Sequence, residues 1–356
     1  MLAVALALGA LPAAHAADAF AYVSNEKAGV EVIDLNSLAV VKTMPSGGQG
    51  PRGIALTADG KYVLTANKLS GDLVAIDRVS GAVAHKVKVG LNPEFVRVNG
   101  KVAFVTYEPG ASKEGGPKGG DKGGEKAGGD KDGAKGGKDD DDDAEKAEIA
   151  LVDLSSWKVI RKIVSGHETE GVEFSKNGRD ILVTNEGDDT VSVYDRTNGK
   201  EVKSIHTAAN GKRPRGIKLS PDGSAYVVTL EYSDKFLVID DRLNIVKDVP
   251  TKAGPYGVAF SPDGAKVLIA AAKDGVIQVF DAKSYELKGE IPVGKRCWHF
   301  SFTPDGSKIL AACGRSDAVY VVDATNYSSV KVLDGAQAPW GVVTYPRASG
   351  TLEAAN

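Results

Sequence analysis

The sequence predicts an all-β fold, a seven-bladed β-propeller, on three observations. A ten-residue motif returns along the chain at a nearly constant interval, each interval divides into four short segments of strand character, and the two chain ends supply complementary parts of one unit. Self-similarity at a period of about 40–45 residues is the mark of a four-stranded propeller blade.

The motif has the form P-x-G, hydrophobic, x, hydrophobic, Ser/Thr, x, Asp-Gly. It reads PRGIALTADG from Pro51, PRGIKLSPDG from Pro214 and PYGVAFSPDG from Pro255. Weaker copies are PEFVRVNG from Pro93, TEGVEFSKNG from Thr169, CWHFSFTPDG from Cys297 and PWGVVTYP from Pro339. The third positions, Gly53, Phe95, Gly171, Gly216, Gly257, His299 and Gly341, are separated by 42, 76, 45, 41, 42 and 42 residues. The outlying interval contains a foreign segment, 109–146, whose 38 residues account for the excess.

Within a unit, an apolar-alternating first strand such as GIKLS runs into a P-D-G turn, whose proline and glycine suit a tight hairpin. The second strand reads AYVVTL or ILVTN. After a polar loop the third ends in Asp, as in DLVAID, TVSVYD, KFLVID, VIQVFD and AVYVVD. The fourth, as in EVKSIHT or ELKGEIPV, is more polar and suits a blade's outer edge. Enrichment in β-branched residues favours strand over helix throughout, and no amphipathic helix is evident. The seventh unit stops after the single strand of PWGVVTYP, and FAYVSNEKAGVEVIDLNSLAVVKTMP near the N-terminus holds the three strands it lacks. The ring is therefore expected to close with N- and C-terminal strands sharing one blade, which leaves only short, protected edges.

Composition narrows the rest. With 44 Lys+Arg against 47 Asp+Glu and a net charge of −3 in 356 residues, there is no global reason to expect nucleic-acid binding. Neither C-x-x-C nor C-x-x-C-H occurs, which excludes a zinc ribbon and covalent haem attachment. Residues 1–16, MLAVALALGALPAAHA, close in Ala14-His15-Ala16 and read as a signal peptide, so a periplasmic protein maturing near Ala17 is expected. No later apolar stretch reaches the roughly 18 residues of a membrane span, and a monomer is expected. The segment 109–146 holds 12 Gly, 8 Lys, 8 Asp and 3 Glu without one aromatic or branched apolar side chain, so it is expected to be disordered. The run Asp139 to Asp143 reads as a solvated insertion in preference to a loose cation or basic-partner site, because the spacing lacks the glycine turn and terminal Glu of a calcium loop.

AYVSN (Ala21–Asn25), YVLTAN (Tyr62–Asn67), AFVTY (Ala103–Tyr107) and ILVTN (Ile181–Asn185) resemble the YVTN β-propeller repeat over nearly all of the mature chain outside the insertion. The resemblance implies kinship with a superfamily that includes amine dehydrogenase heavy chains, the haem d1 propeller of nitrite reductases, and lactonases. The exported form is most similar to propellers associated with pyrroloquinoline-quinone-dependent catabolism. Such a repeat is specific for fold and poor for function.

Propeller topology gathers two sets of residues at one mouth of the central channel. The middle positions of P-x-G are Arg52, Glu94, Glu170, Arg215, Tyr256, Trp298 and Trp340; the positions just after the YVTN segments include Glu26, Lys68, Glu108, Glu186, Glu231 and Lys273. They read either as a site for a polar or partly aromatic ligand or as rim residues that bridge blades. In blade six, Cys297 and Cys313 fall opposite each other across a hairpin and within disulfide range. The disulfide is the preferred reading over a soft-metal site of Cys297, His299 and Cys313, which rests on residues 297 and 299 pointing the same way. His85 and His206 read as surface residues, and His167 near the mouth either makes a hydrogen bond or ligates a metal.

No cofactor is required by these residues, although a divalent metal or haem is compatible with them. Three functions stay open: a non-catalytic binding or accessory propeller of a quinoprotein- or cytochrome-linked redox pathway; a lactonase-type hydrolase holding a divalent ion on Glu26, Glu108, Glu186 and Glu231; and a haem d1 or metal carrier. The expected partners are a periplasmic redox protein or a small polar ligand.

Overall fold

The computed structural model describes residues 18–110 and 145–353. The signal peptide expected at 1–16 and nearly all of the 109–146 insertion lie outside the described residues. Seven four-stranded antiparallel sheets form the blades of a β-propeller. Blades one to six span residues 51–88, 95–164, 169–206, 214–250, 255–292 and 297–334. In the seventh, strand β28 (Pro339–Tyr345) pairs with β1 (Phe20–Asn25), which continues through β2 (Val30–Asp34) and β3 (Ala39–Met44), so the chain ends close the ring.

Apolar clusters fill the spaces between neighbouring blades. Each middle strand is covered on both faces, as in β13 (Asp180–Asn185), where Ile181 and Val183 join one cluster and Leu182 another. This explains the continuous apolar runs of the YVTN segments: burial on both faces removes the need for alternation. Fourth strands stand exposed at the rim, as in β7 (Val83–Lys88). At the turns, Asp222 accepts hydrogen bonds from the Ser220 hydroxyl (2.6 Å) and the Ser224 N–H (3.0 Å), and Gly223 takes φ +70°, which explains the Ser/Thr-x-Asp-Gly signature.

Two features of the inner strands were not anticipated. In six blades the middle residue of P-x-G is extra to the ladder: Pro51 pairs with Asn67 but Ile54 with Thr65, and the same shift recurs in blades three to seven. This bulge corrects the expected geometry of blade six. Cys297 pairs with Cys313 while His299 pairs with Ala312, so Cys297 and His299 face opposite sides of the sheet. The two cysteines form a disulfide. The metal set of Cys297, His299 and Cys313 is thus not assembled.

The second feature is the C-terminal segment 347–353, which returns into the channel from the P-D-G end. Its Thr351 N–H donates to Phe300 O (3.0 Å), the Phe302 N–H donates to Ser349 O (2.8 Å), and Leu352 is buried in the core between blades. Arg97 and Lys218, both buried, clasp its carbonyls: Lys218 Nζ donates to Gly350 O at 2.7 Å, and both cations bond Glu353 O. Glu173 lies between them, 3.9 Å from Arg97 and 4.0 Å from Lys218. Burial and the nearby Arg97 push the Lys218 ammonium down to about 7.

Truncating the chain after Tyr345 would remove the Gly350 and Glu353 carbonyls from two buried cations and expose the Leu352 site. Each unsatisfied buried donor costs about 1–3 kcal/mol and a buried leucine contributes about 1.5–3 kcal/mol, so a loss of about 4 kcal/mol or more is expected in urea unfolding. A midpoint within error of the full chain would refute the clasp.

Candidate functional site

The residue ahead of each P-x-G segment is left-handed in all seven blades: Gly50, Asn92, Glu168, Arg213, Gly254, Arg296 and Ala338 have φ of 48–67°. In most blades its carbonyl accepts the N–H of the residue just after the YVTN segment, as Glu168 does from Glu186 and Arg213 from Glu231, both at 3.0 Å. One backbone bond in each of six blades therefore brings two sets of mouth residues together, and in blade two the Glu108 N–H turns to Leu91 O instead. Glu168, Arg213 and Arg296 belong to this mouth and were missed in sequence. Their signal was available as the position preceding each motif, but a charged residue between a fourth strand and the next motif reads as an ordinary loop.

A second backbone device holds the axial residues. In blades three, four and seven, a Ser or Thr hydroxyl of the YVTN strand accepts the N–H of its own P-x-G glycine and donates to the carbonyl of the next blade's middle residue. Thr184 reaches Arg215 O, Thr229 reaches Tyr256 O and Ser24 reaches Arg52 O, each at 2.6 Å. In blade one the Gly53 N–H donates directly to Glu94 O (3.0 Å). A Cβ at Gly53 would stand 2.8 Å from Glu94 O, and one at Gly216 2.3 Å from Tyr256 O, so this close approach admits only glycine.

The side chains so placed form an ionic cluster across the axis. Arg52 binds Glu26 (Nε to Oε1, 2.9 Å) and Glu94 (Nη1 to Oε2, 2.5 Å), with Lys68 at 3.6 Å from Glu94. Arg215 binds Glu231 through Nε (2.7 Å), and its Nη1 lies 2.7 Å from Glu170, 2.5 Å from Glu186 and 3.0 Å from the Tyr256 hydroxyl. Arg213 joins Glu168 (2.8 Å) to Glu186, and Arg296 lies 3.4 Å from Glu231. Glu108 stands apart, accepting from Asn92 Nδ2 at 2.7 Å. The two tryptophans do not join this cluster. Trp340 is buried between blades against His299, and Trp298 packs over Gly314 half-buried.

Below the cluster, His299 is 3% exposed and enclosed by Phe95, Tyr256 and Trp340. Its Nδ1 lies 3.0 Å from Thr351 Oγ1, a hydroxyl that also bonds the Phe300 backbone. Burial, then Arg97 and Arg215, push this imidazole well below its ordinary range, so it is neutral.

These residues do not fit a divalent ion. Glu26, Glu186 and Glu231 each point at a guanidinium, and among the described residues no group of three His, Cys, Asp or Glu is placed to hold a metal. His167 bonds Asp188 (2.6 Å) at the surface of the mouth. Among the described residues the axial histidine, His299, is walled in by rings and by the C-terminal segment and is closed to a haem iron.

What the cluster can hold is a proton. Burial and then Glu94, which lies within hydrogen-bond reach, outweigh Arg215 and raise Glu170 to about 7. Burial likewise raises Glu186, well above the usual carboxylate range despite Arg215, and brings Glu108 to about 7 with help from Glu94. Burial also opposes ionisation of Glu94, but Arg52 and Lys68 prevail and bring it down to about 2.

The comparisons agree on architecture. The YNCE-like beta-propeller family model matches residues 173–332. No curated protein matches the chain in sequence. Among solved structures it is similar to hydrazine synthase of Kuenenia stuttgartiensis (18% identity, TM-score 0.68, covering 85% of this chain and 92% of that one). It is also similar to the periplasmic gluconolactonase PpgL of Pseudomonas aeruginosa (16%, 0.70, 92% and 98%) and to the dihydro-haem d1 dehydrogenase NirN (17%, 0.64, 94% and 77%). At these identities the likeness establishes a seven-bladed β-propeller and nothing narrower. Among the described residues no helix is long and apolar enough to cross a membrane.

Two outcomes test the cluster. Arg215→Ala leaves the buried carboxylate of Glu231 without its nearest counter-ion and removes the donor shared by Glu170 and Glu186; breaking a buried pair costs about 3–5 kcal/mol, to be read from urea midpoints. Glu170 keeps its proton to about pH 7 when folded but only to its ordinary 4.5 when unfolded. Its contribution is therefore full below about 4.5 and lost as pH rises through about 7; Glu94 has the opposite sign, its contribution lost as pH falls through about 2. The stability difference between wild type and Glu170→Gln should fall between pH 4.5 and 7.5. A flat difference would contradict the buried proton.

Proposed function

We propose that the chain is an exported, non-catalytic binding propeller of a periplasmic redox pathway, taking its ligand or partner at the mouth described above. The observation that carries this is the asymmetry of the axis. One end is filled by the C-terminal segment, whereas the other gathers side chains from all the blades into an ordered, ionisable surface. The cluster's carboxylates and guanidinium groups are already paired with one another or with neighbours, and no activated nucleophile stands among them, which suits recognition better than chemistry. The redox setting is taken from the likeness in fold to NirN, a dehydrogenase.

A metal-free lactone hydrolase is the second reading. Glu170 and Glu108, both held near 7, match the range of a general acid–base at neutral pH, and PpgL shares the fold. Protein purified from its native periplasm separates the two. The binding reading expects a non-covalent adduct in native mass spectrometry that Arg215→Ala loses, and no turnover of glucono-1,5-lactone above the buffer rate. Turnover abolished by Glu170→Gln, with no adduct, would put the hydrolase in its place. The same sample tests export, since the mature mass should begin near Ala17.

A further inference from the structure

We propose that the arc of the mouth carried by blades four to six docks an acidic protein segment, with Tyr232 as its aromatic anchor. This rests on the reading of the mouth as the recognition face and names the chemistry of the partner there.

The loops of these blades bring Lys212, Arg213, Lys273, Lys295, Arg296 and Arg315 to one side of the axis, with Lys212, Lys273, Lys295 and Arg315 exposed. Backbone bonds join the loops into one surface. The Tyr232 N–H donates to Lys212 O, Arg296 N–H to Ala272 O beside Lys273, and Arg315 N–H to Lys295 O. The acidic residues of the same loops are engaged otherwise. Asp234, Asp274 and Asp317 each accept a backbone N–H at 2.9 Å, from Gly254, Ala253 and Ala338, and Glu231 lies buried beneath Arg215 and Arg296. Arg213 and Arg296 are paired with Glu168, Glu186 and Glu231, and among the exposed side chains Lys212, Lys273, Lys295 and Arg315 outnumber Asp234, Asp274 and Asp317, although the whole chain carries −3.

Tyr232 stands in the middle of this arc, 55% exposed, with the Arg213 guanidinium 4.8 Å and the Lys273 ammonium 5.1 Å from its ring centroid. An exposed tyrosine held by two cations is a rigid amphipathic anchor of the kind that protein interfaces favour, and the surrounding lysines supply long-range attraction for carboxylates. A single-stranded nucleic acid would want successive stacking platforms, whereas this arc presents one exposed ring already engaged by cations.

The test uses the full-length protein and a fluorescein-labelled decaglutamate peptide, followed by anisotropy. Wild type is expected to bind, weakening at least tenfold between 20 and 200 mM salt, because surface charges are screened over about 8–10 Å near physiological ionic strength. The triple variant Lys212→Glu, Lys273→Glu, Lys295→Glu should lose at least tenfold in affinity, and Tyr232→Ala alone should lose severalfold. A control of equal charge change at the opposite mouth, Lys101→Glu, Lys158→Glu, Lys200→Glu, should bind like wild type. Thermal unfolding of each variant verifies folding, and Tyr232→Ala carries the test if the triple variant does not fold.

Absent binding, or equal loss in the control, overturns the inference. So does a ten-nucleotide thymidine strand that binds more tightly than the peptide and depends on Tyr232, since the occupant is then a nucleic acid. None of these variants alters Arg52, Glu94, Glu170 or Arg215. A native adduct without peptide binding leaves the reading of the mouth standing and removes only this inference, whereas glucono-1,5-lactone turnover abolished by Glu170→Gln removes the reading itself.

Discussion

The close approach of inner-strand backbones between neighbouring blades is the constraint on which the site depends. Where Thr184 or Thr229 passes its hydroxyl hydrogen to the carbonyl of the next blade, it fixes the residue whose side chain lies on the axis. The glycine beside it is required because any Cβ would meet the neighbouring backbone. The same two positions that make the repeat recognisable therefore aim Arg215 and Tyr256. Fold and site are one hydrogen-bonding arrangement, since the bond that joins blades also orients the bulged residue.

That arrangement stacks two charged layers along the channel. The upper one, around Arg52 and Arg215, is bounded by water and stores protons on Glu170 and Glu186. The lower one, Arg97, Glu173 and Lys218, is sealed by the chain's own C-terminal segment, whose carbonyls accept from both cations and complete what Glu173 and Val172 O begin. Between the layers sits a neutral histidine in an aromatic cage, hydrogen-bonded to a threonine of that same segment. Buried charges of this kind add little net stability over an apolar core, yet they penalise any register in which their partners are displaced.

Much of this was legible in the residues alone. The period of the P-x-G motif, the shared terminal blade and the pairing of Cys297 with Cys313 all follow from spacing. The axial positions Arg52, Glu94, Glu170, Arg215 and Tyr256 also follow, because repeat-equivalent residues must converge on a ring's axis. The orientation of His299 was not legible, because the bulge at Trp298 inverts the alternation that a strand would otherwise obey. Trp340 lies lower than expected for a related reason: a repeat position locates the Cα, whereas its buried ring packs against His299 beneath the cluster.

The boundary between sequence and tertiary structure falls where contacts become non-local. By itself the sequence determined seven blades, their order and the residues nearest the axis, since these depend on short-range periodicity and turn chemistry. Only the tertiary structure decided that Arg97, Glu173 and Lys218 are buried: in PEFVRV, GVEF and GIKL they occupy the polar positions of an alternating strand, which reads as solvent-facing. A segment more than a hundred residues away covers them, and no local pattern encodes such an encounter. Likewise, whether a mouth carboxylate carries a proton depends on how many guanidinium groups other blades bring within 3 Å of it, which is a property of the closed ring.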